Sequence, residues 1–136
     1  MRLRYAIIAI VVGTFMISAT LPAQAQPAAL ATRTSDANGV RIVIKPISVA
    51  GAAWEFEVTM DTHTKPLSND LTKTTVLLDD KQQRYTPTAW QGDPPGSHHR
   101  KGVLRFPAPA GEAKSFALQM DDVGGPGKRV FQWNTK

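Results

Sequence analysis

Hydrophobic and polar residues alternate with a period of two along most of the chain after residue 38. The clearest example is segment 53–60, where Trp54, Phe56, Val58 and Met60 are separated by polar or small residues. Such alternation predicts a β-strand with one buried and one exposed face, and it places Trp54 in the core.

Further alternating or β-branched segments lie between clusters of Gly, Pro, Asp and Asn. They occupy positions 40–45, 74–78, 84–88, 102–106, 116–120 and 130–133. About seven short strands with turn signals every 8–12 residues or so are typical of a sandwich. The sequence therefore predicts an all-β, immunoglobulin-like β-sandwich, with a small Greek-key barrel as the alternative.

The N-terminal segment predicts export. Arg2 and Arg4 precede an apolar run of about a dozen residues, shorter than the ~20 needed to span a bilayer, and Ala23-Gln24-Ala25 matches a signal-peptidase site. We expect a signal peptide over 1–25, a flexible Ala-, Thr- and Ser-rich lead-in over 26–38, and the β-sandwich domain over 39–136. The expected location is periplasmic or secreted, with membrane contact only through the uncleaved signal segment.

Composition narrows the functional classes. Loss of the two signal-segment arginines lowers the formal charge from +5 to +3, and the remaining charges are interspersed, so no nucleic-acid partner is expected. The chain has no cysteine, which excludes disulfides, thiol catalysis and thiolate metal sites. No nucleophilic triad or phosphate-binding loop has its usual sequence context, so we expect a non-enzymatic domain.

Three histidines carry the most suggestive chemistry. His63 follows the Trp54 strand, and the pair His98 and His99 precedes the next alternating segment. Strand ends gather at the poles of a sandwich, so these segments are expected to meet. Imidazoles with the Asp61 carboxylate suit copper or zinc, the only cofactors indicated. The alternative is structural: a histidine that donates to Asp61 would pin two loops together in place of a disulfide.

Trp90 and Arg100 are the candidate binding residues. Trp90 precedes the loop Gln91–Ser97, where an indole either stacks on a ligand or packs over the loop as a lid. Arg100 follows the histidine pair and is followed by a lysine, so this basic segment could contact an anion or a partner.

The same residues carry a family resemblance. The segments that carry the resemblance are Asp61-Thr62-His63, the Val76–Asp80 hairpin, Trp90-x-Gly92, Pro95–Pro107 and Val123–Trp133. The chain resembles a family of small exported bacterial proteins that occur alone or beside membrane and redox components. Its pattern is THS…L…VLRDD…W.G…GHHR.G.L.F…GG…R.F.W, and Ser97 stands where the family prefers glycine. The resemblance covers Trp54 to Trp133. It implies no particular activity, but it implies that His63, His98, His99 and Arg100 belong to one pattern.

Two functions follow as hypotheses. The first is an exported binding or accessory domain that holds copper or zinc through His63, His98, His99 and Asp61. The second is an immunoglobulin-like interaction module with structural histidines, whose Trp90–Lys101 segment docks on an envelope protein. A hydrolytic enzyme ranks last, because no acid, base and nucleophile form a convincing set.

Overall fold

The computed structural model describes residues 30–135, which form nine strands and one helical turn. The predicted signal peptide lies outside the described residues. The elements are β1 (Arg33–Ala37), β2 (Val40–Ser48), β3 (Ala53–Thr62), α1 (Leu71–Thr74), β4 (Thr75–Asp79), β5 (Arg84–Tyr85), β6 (Ala89–Gly92), β7 (His99–Pro107), β8 (Ser115–Asp121) and β9 (Lys128–Asn134). No helix among these residues is long and apolar enough to cross a membrane.

The strands form two antiparallel sheets. The larger sheet has the order β1-β2-β3-β7-β6, and the smaller one has the order β5-β4-β8-β9. The predicted all-β sandwich is therefore confirmed, with nine strands instead of about seven. The alternative of a closed barrel is wrong for residues 30–135, because the strands are divided between two separate sheets.

The core lies between the sheets and is built by the alternation seen in the sequence. Trp54, Phe56, Val58 and Met60 all point inward from β3 and are buried, as predicted. The Trp54 ring lies edge-on to Phe116 at 4.9 Å between centroids, and Phe116 stacks on Trp133 at 5.3 Å. Aromatic pairs at these separations add to the stabilisation that burial alone provides.

The prediction of a flexible lead-in over 26–38 is wrong for Arg33–Ala37, which form β1 and pair with β2. The turn between them is Asn38-Gly39, with φ values of 54° and 73°. Positive φ at both positions is the geometry of the two-residue hairpin turn that Asn-Gly favours. Most β1 side chains are exposed, so this strand is held by backbone pairing and leaves no hydrophobic alternation to detect. Residues 26–29 lie outside the described part of the chain.

Two local predictions need adjustment. The strand predicted over 74–78 is preceded by the single helical turn α1, which includes Thr74 and which Asp70 caps by accepting from the Thr72 backbone N–H at 3.1 Å. Gln91 and Gly92, predicted as loop, belong to the edge strand β6. The predicted hairpin turn after Asp79 is confirmed, because β4 pairs with β5 across it.

Candidate functional site

The segments that carry the histidines meet at one end of the sandwich, which we call the histidine pole (His63, His98 and His99). The backbone N–H of Thr62 donates to the carbonyl oxygen of His98 at 2.9 Å. Adjacent strands β3 and β7 place Asp61 directly opposite His99. The predicted convergence of the two segments is therefore confirmed.

His99 and Asp61 are in direct contact. Nδ1 of the imidazole lies within hydrogen-bond reach of Oδ1 of the carboxylate. The His99 and Asp61 side chains are 61% and 44% exposed, respectively. An ion pair this exposed contributes only about 0–1 kcal/mol to folding. The contact expected of a histidine brace is present, but it is too accessible to water to replace a disulfide.

The other predicted metal ligands do not complete a coordination shell. His98 is exposed, and His63 lines a surface cleft of about 410 Å³ together with Asp36, Arg41 and Asp61. Within residues 30–135, no three His, Asp or Glu side chains are grouped so that they could hold a metal ion. The fold brings the four predicted ligands to one pole, and among them the structure records the His99–Asp61 contact.

Arg100, predicted to contact an anion or a partner, lies inside the domain and is only 1% exposed. Its Nη1 atom donates to the carbonyl oxygens of Leu67 and Asn69 at 3.2 and 2.7 Å. Its Nε and Nη2 atoms both lie 3.4 Å from the carbonyl oxygen of Asp93. One guanidinium therefore ties the segment before α1 to the loop before β7.

Trp90 packs over this guanidinium. Its ring centroid lies 5.5 Å from Cζ of Arg100, and its Nε1 donates to the Asp93 carbonyl at 2.9 Å. Gly102 makes room for the ring, since a Cβ atom there would lie 2.8 Å from Cη2 of Trp90. Gly92 faces Gly102 across the strand pair, so the two backbones approach closely. We call Trp90, Gly92, Arg100 and Gly102 the Arg100 unit, in which Trp90 acts as a lid.

The electrostatics of this unit are unusual for a protein interior. Burial lowers the pKa of Arg100 because it removes the cation from water, while the Asp93 and Asp70 carboxylates act in the opposite direction. An arginine side chain stays protonated in proteins even so. The buried positive charge is compensated mainly by backbone carbonyl dipoles, which suit the several fixed N–H donors of a guanidinium.

Arg129 forms a second, similar unit that the sequence analysis missed. It is 6% exposed and donates to the carbonyl oxygens of Val40 and Val123 at 2.7 and 3.2 Å, and also to that of Ala37. Gly124 permits this packing, because a Cβ atom there would lie 2.4 Å from Cγ2 of Val40. The position of Arg129 in the alternating pattern could have revealed it, because Arg129 lies on the same inward face of β9 as the buried residues Phe131 and Trp133.

The loop between β6 and β7 is exposed and also firmly held. Every residue of the segment Gln91–His99 is exposed. Its backbone is fixed where Gly96 N donates to Leu67 O at 3.0 Å and where Leu67 N donates to Ser97 O at 2.9 Å. The Ser97 hydroxyl donates to the backbone carbonyl of His99 and so braces the loop. The segment therefore presents a fixed surface to solvent.

A second, more apolar cleft of similar volume lies at the opposite end of the sandwich. It has a volume of about 390 Å³ and is formed by the β2–β3 turn, the β7–β8 loop and the edge of Trp54. None of the predicted site residues reaches it.

Comparison with known proteins gives one structural match. The secreted protein MPT63 of Mycobacterium tuberculosis aligns with a TM-score of 0.43 and 14% identity, over 81% of this chain and 95% of that one. A likeness at this level carries no inference about function. No protein-family profile matches the chain, and no curated protein matches it.

Proposed function

We propose that this chain is an exported, non-enzymatic interaction module that binds a protein of the cell envelope through the segment Gln91–His99, which consists of the β6–β7 loop and the strand residues that flank it. The observation that carries the proposal is the combination of full exposure and a fixed backbone in that loop. Loops held by a rigid scaffold are common recognition elements. A loop that is ordered before binding loses less conformational entropy on association, so more of the contact energy appears as affinity.

The Arg100 unit supports the proposal from beneath the loop. Arg100 and Trp90 both contact the Asp93 carbonyl, and the Asp93 carboxylate accepts from the Lys101 backbone N–H at 2.8 Å. Both ends of the loop are thus anchored at the base, while its outer residues make no contribution to the core. Export is supported by the basic, apolar and A-x-A pattern of the first 25 residues.

Site-specific photo-cross-linking tests this function. A photoreactive amino acid is placed at Pro95, in the loop, and in a matched variant at Glu112, an exposed position at the opposite pole. We expect the Pro95 variant to form a discrete adduct with an envelope protein, and excess unlabelled protein to suppress it. No adduct at Pro95, or the same adducts from both positions, would show that the loop is not the binding surface.

Copper or zinc binding is the second candidate, favoured by the convergence of His63, His98 and His99 at one pole. A metal would need side-chain movement, since no three candidate ligands in the described residues are grouped around one point. Calorimetric titration with each ion, on the purified protein and on a His63→Ala/His98→Ala variant, tests this. Stoichiometric binding that the variant loses supports a metal site, and equal heats from the two proteins refute it.

A further inference from the structure

The hairpin turn between β1 and β2 contains a chemically reactive dipeptide. Asn38-Gly39 is the only asparagine–glycine pair in the chain, and both residues are exposed. The side-chain amide of an asparagine can be attacked at Cγ by the backbone nitrogen of the next residue, and a glycine there has no side chain to hinder the approach. The other two asparagines are followed by the bulkier residues Asp70 and Thr135. This reactivity is therefore concentrated in one turn.

The reaction exchanges the side-chain amide for a carboxylate. The backbone nitrogen of Gly39 loses its proton to solvent and bonds to Cγ of Asn38, and the side-chain nitrogen takes up a proton and leaves as ammonia. The product is a five-membered succinimide ring, which water then opens. Cleavage of the bond between Cγ and the Gly39 nitrogen gives aspartate. Cleavage of the bond between the backbone carbonyl carbon and that nitrogen gives isoaspartate, in which the main chain runs through Cβ and Cγ.

The fold holds this turn in a conformation that opposes ring closure. Asn38 and Gly39 have φ values of 54° and 73°, and the flanking residues Ala37 and Val40 are paired across the hairpin. Ring closure requires rotation about the Cα–C bond of Asn38 until the Gly39 nitrogen lies beside Cγ. That rotation takes Asn38 out of the left-handed conformation that the turn requires, and it swings the carbonyl oxygen of Asn38 to a new position.

The loop between β8 and β9 packs against the atoms that would have to move. A Cβ atom on Gly124 would lie 3.1 Å from the carbonyl oxygen of Asn38, and one on Gly125 would lie 3.4 Å from both Cγ and Nδ2 of Asn38. Arg129 donates to the backbone carbonyl on each side of the turn, so both ends of the turn are fixed. We call Gly124, Gly125 and Arg129 the turn cradle.

We propose that Asn38 is a site of spontaneous deamidation, and that the turn cradle sets its rate by admitting the reaction only when the β1–β2 hairpin opens. Because β1 is an edge strand with mostly exposed side chains, its opening costs less free energy than global unfolding. In the isoaspartate product, the extra main-chain atom disrupts the two-residue turn, so β1 cannot keep its register with β2. Release of ammonia makes the change one-way, and it limits the lifetime of the intact larger sheet. This inference is independent of partner binding by the segment Gln91–His99.

Peptide mapping by mass spectrometry tests both the site and its control by the fold. The purified protein is incubated in mildly alkaline buffer, once folded and once in concentrated guanidinium chloride, and deamidation of all three asparagines is followed. We expect Asn38 to react first in the unfolded chain, and at least about tenfold more slowly in the folded protein. Equal rates in the two states, or faster reaction of Asn69 or Asn134 in the unfolded chain, would overturn the proposal.

Arg129→Lys tests the role of the cradle, and Arg100→Lys is its matched control. Both variants replace a buried guanidinium, but the hydrogen bonds of Arg100 go to other segments and not to the turn. We expect folded Arg129→Lys to deamidate at Asn38 about fivefold faster or more than folded Arg100→Lys, because hydrogen bonds to the turn are lost. Equal rates in the two variants would refute control by the cradle. If Arg129→Lys does not fold, the comparison of folded and unfolded wild type still decides whether the fold controls the reaction.

Asn38→Asp separates the effect of the new charge from that of the altered main chain. It introduces the same carboxylate beside Asp36 and Asp61, which line the cleft together with Gly39, but it keeps a normal main chain. Asp-Gly favours the same hairpin turn as Asn-Gly. In hydrogen exchange, we expect the amides that pair β1 with β2 to stay protected in Asn38→Asp and to lose protection in the chromatographically isolated isoaspartate form. Full protection in the isoaspartate form would show that β1 does not detach.

Discussion

Replacing Arg100 by methionine tests whether a buried guanidinium, more than any histidine, holds the histidine pole together. Methionine keeps a long flexible side chain in the interior but donates no hydrogen bond. The carbonyl of Leu67 would keep the N–H of Gly96, and that of Asp93 would keep Nε1 of Trp90. The carbonyl of Asn69 would lose its only donor among the described residues.

The expected loss of stability follows from the contacts that the Arg100→Met substitution removes. A hydrogen bond from a charged donor contributes about 2 kcal/mol, and here the 2.7 Å bond to Asn69 is the one that nothing replaces. Loss of the cation–π contact with Trp90 adds about 1 kcal/mol. Relief of the desolvation cost of Arg100 offsets a part of this. We expect the free energy of unfolding to fall by about 2–3 kcal/mol.

Equilibrium urea unfolding, followed by tryptophan fluorescence, measures this loss. Arg100→Lys should fall between wild type and Arg100→Met, because an ammonium can reach one carbonyl but lacks the planar fork of the guanidinium. His99→Ala is the control, and we expect it to cost less than about 1 kcal/mol since its side chain is 61% exposed. The reasoning is refuted if Arg100→Met costs less than the histidine variant.

Two further predictions concern other parts of the same pole. Gly102→Ala places a Cβ atom 2.6 Å from the carbonyl oxygen of Gln91 and 2.8 Å from Trp90. It should cost about 2 kcal/mol and lower the melting temperature by roughly 10 °C, and an unchanged melting curve would contradict this packing. Hydrogen bonds from Thr72 hold the pKa of Asp70 below its ordinary value. A carboxyl whose pKa is lowered in the folded state stabilises the fold at pH values above its unfolded-state pKa, and that contribution is lost as the pH falls through the folded-state pKa. The urea midpoint of Asp70→Asn should therefore fall less on acidification than that of wild type. Identical pH profiles of the two proteins would contradict the assignment.

The strands that could be predicted from the sequence are those in which buried apolar side chains alternate with exposed polar ones. β3 is the clearest case, because Trp54 and Phe56 alternate with glutamates that face water. β1 was missed for a physical reason: its side chains are mostly exposed, and its pairing is a property of the backbone. The informative residues were Asn38 and Gly39, since that dipeptide favours the turn that folds β1 back on β2.

The location of the candidate site could be predicted from the sequence, but the contacts that hold it together could not. Strand ends collect at the poles of a sandwich, so the meeting of His98 with the segment around His63 followed from the strand assignments. Residue type misled at Arg100, because arginine is rarely buried without an acidic partner. The alternation along β7 predicts the burial of Arg100 better than its residue type does, since Arg100 lies on the same inward face as Leu104 and Phe106.

The two buried arginines connect distant segments of the chain in the same way. Arg100 lies opposite Met60 across β3 and β7, and Arg129 lies opposite Met120 across β8 and β9. In both places a flexible thioether side chain adapts to the shape of the guanidinium beside it. Each arginine then reaches carbonyl groups of segments that are distant in sequence, as a disulfide would, yet through several directional hydrogen bonds. Because the chain contains no cysteine, the order of the segment Gln91–His99 depends on the hydrogen bonds of Arg100, on backbone hydrogen bonds and on packing. It is therefore independent of the redox state of the compartment in which the domain works.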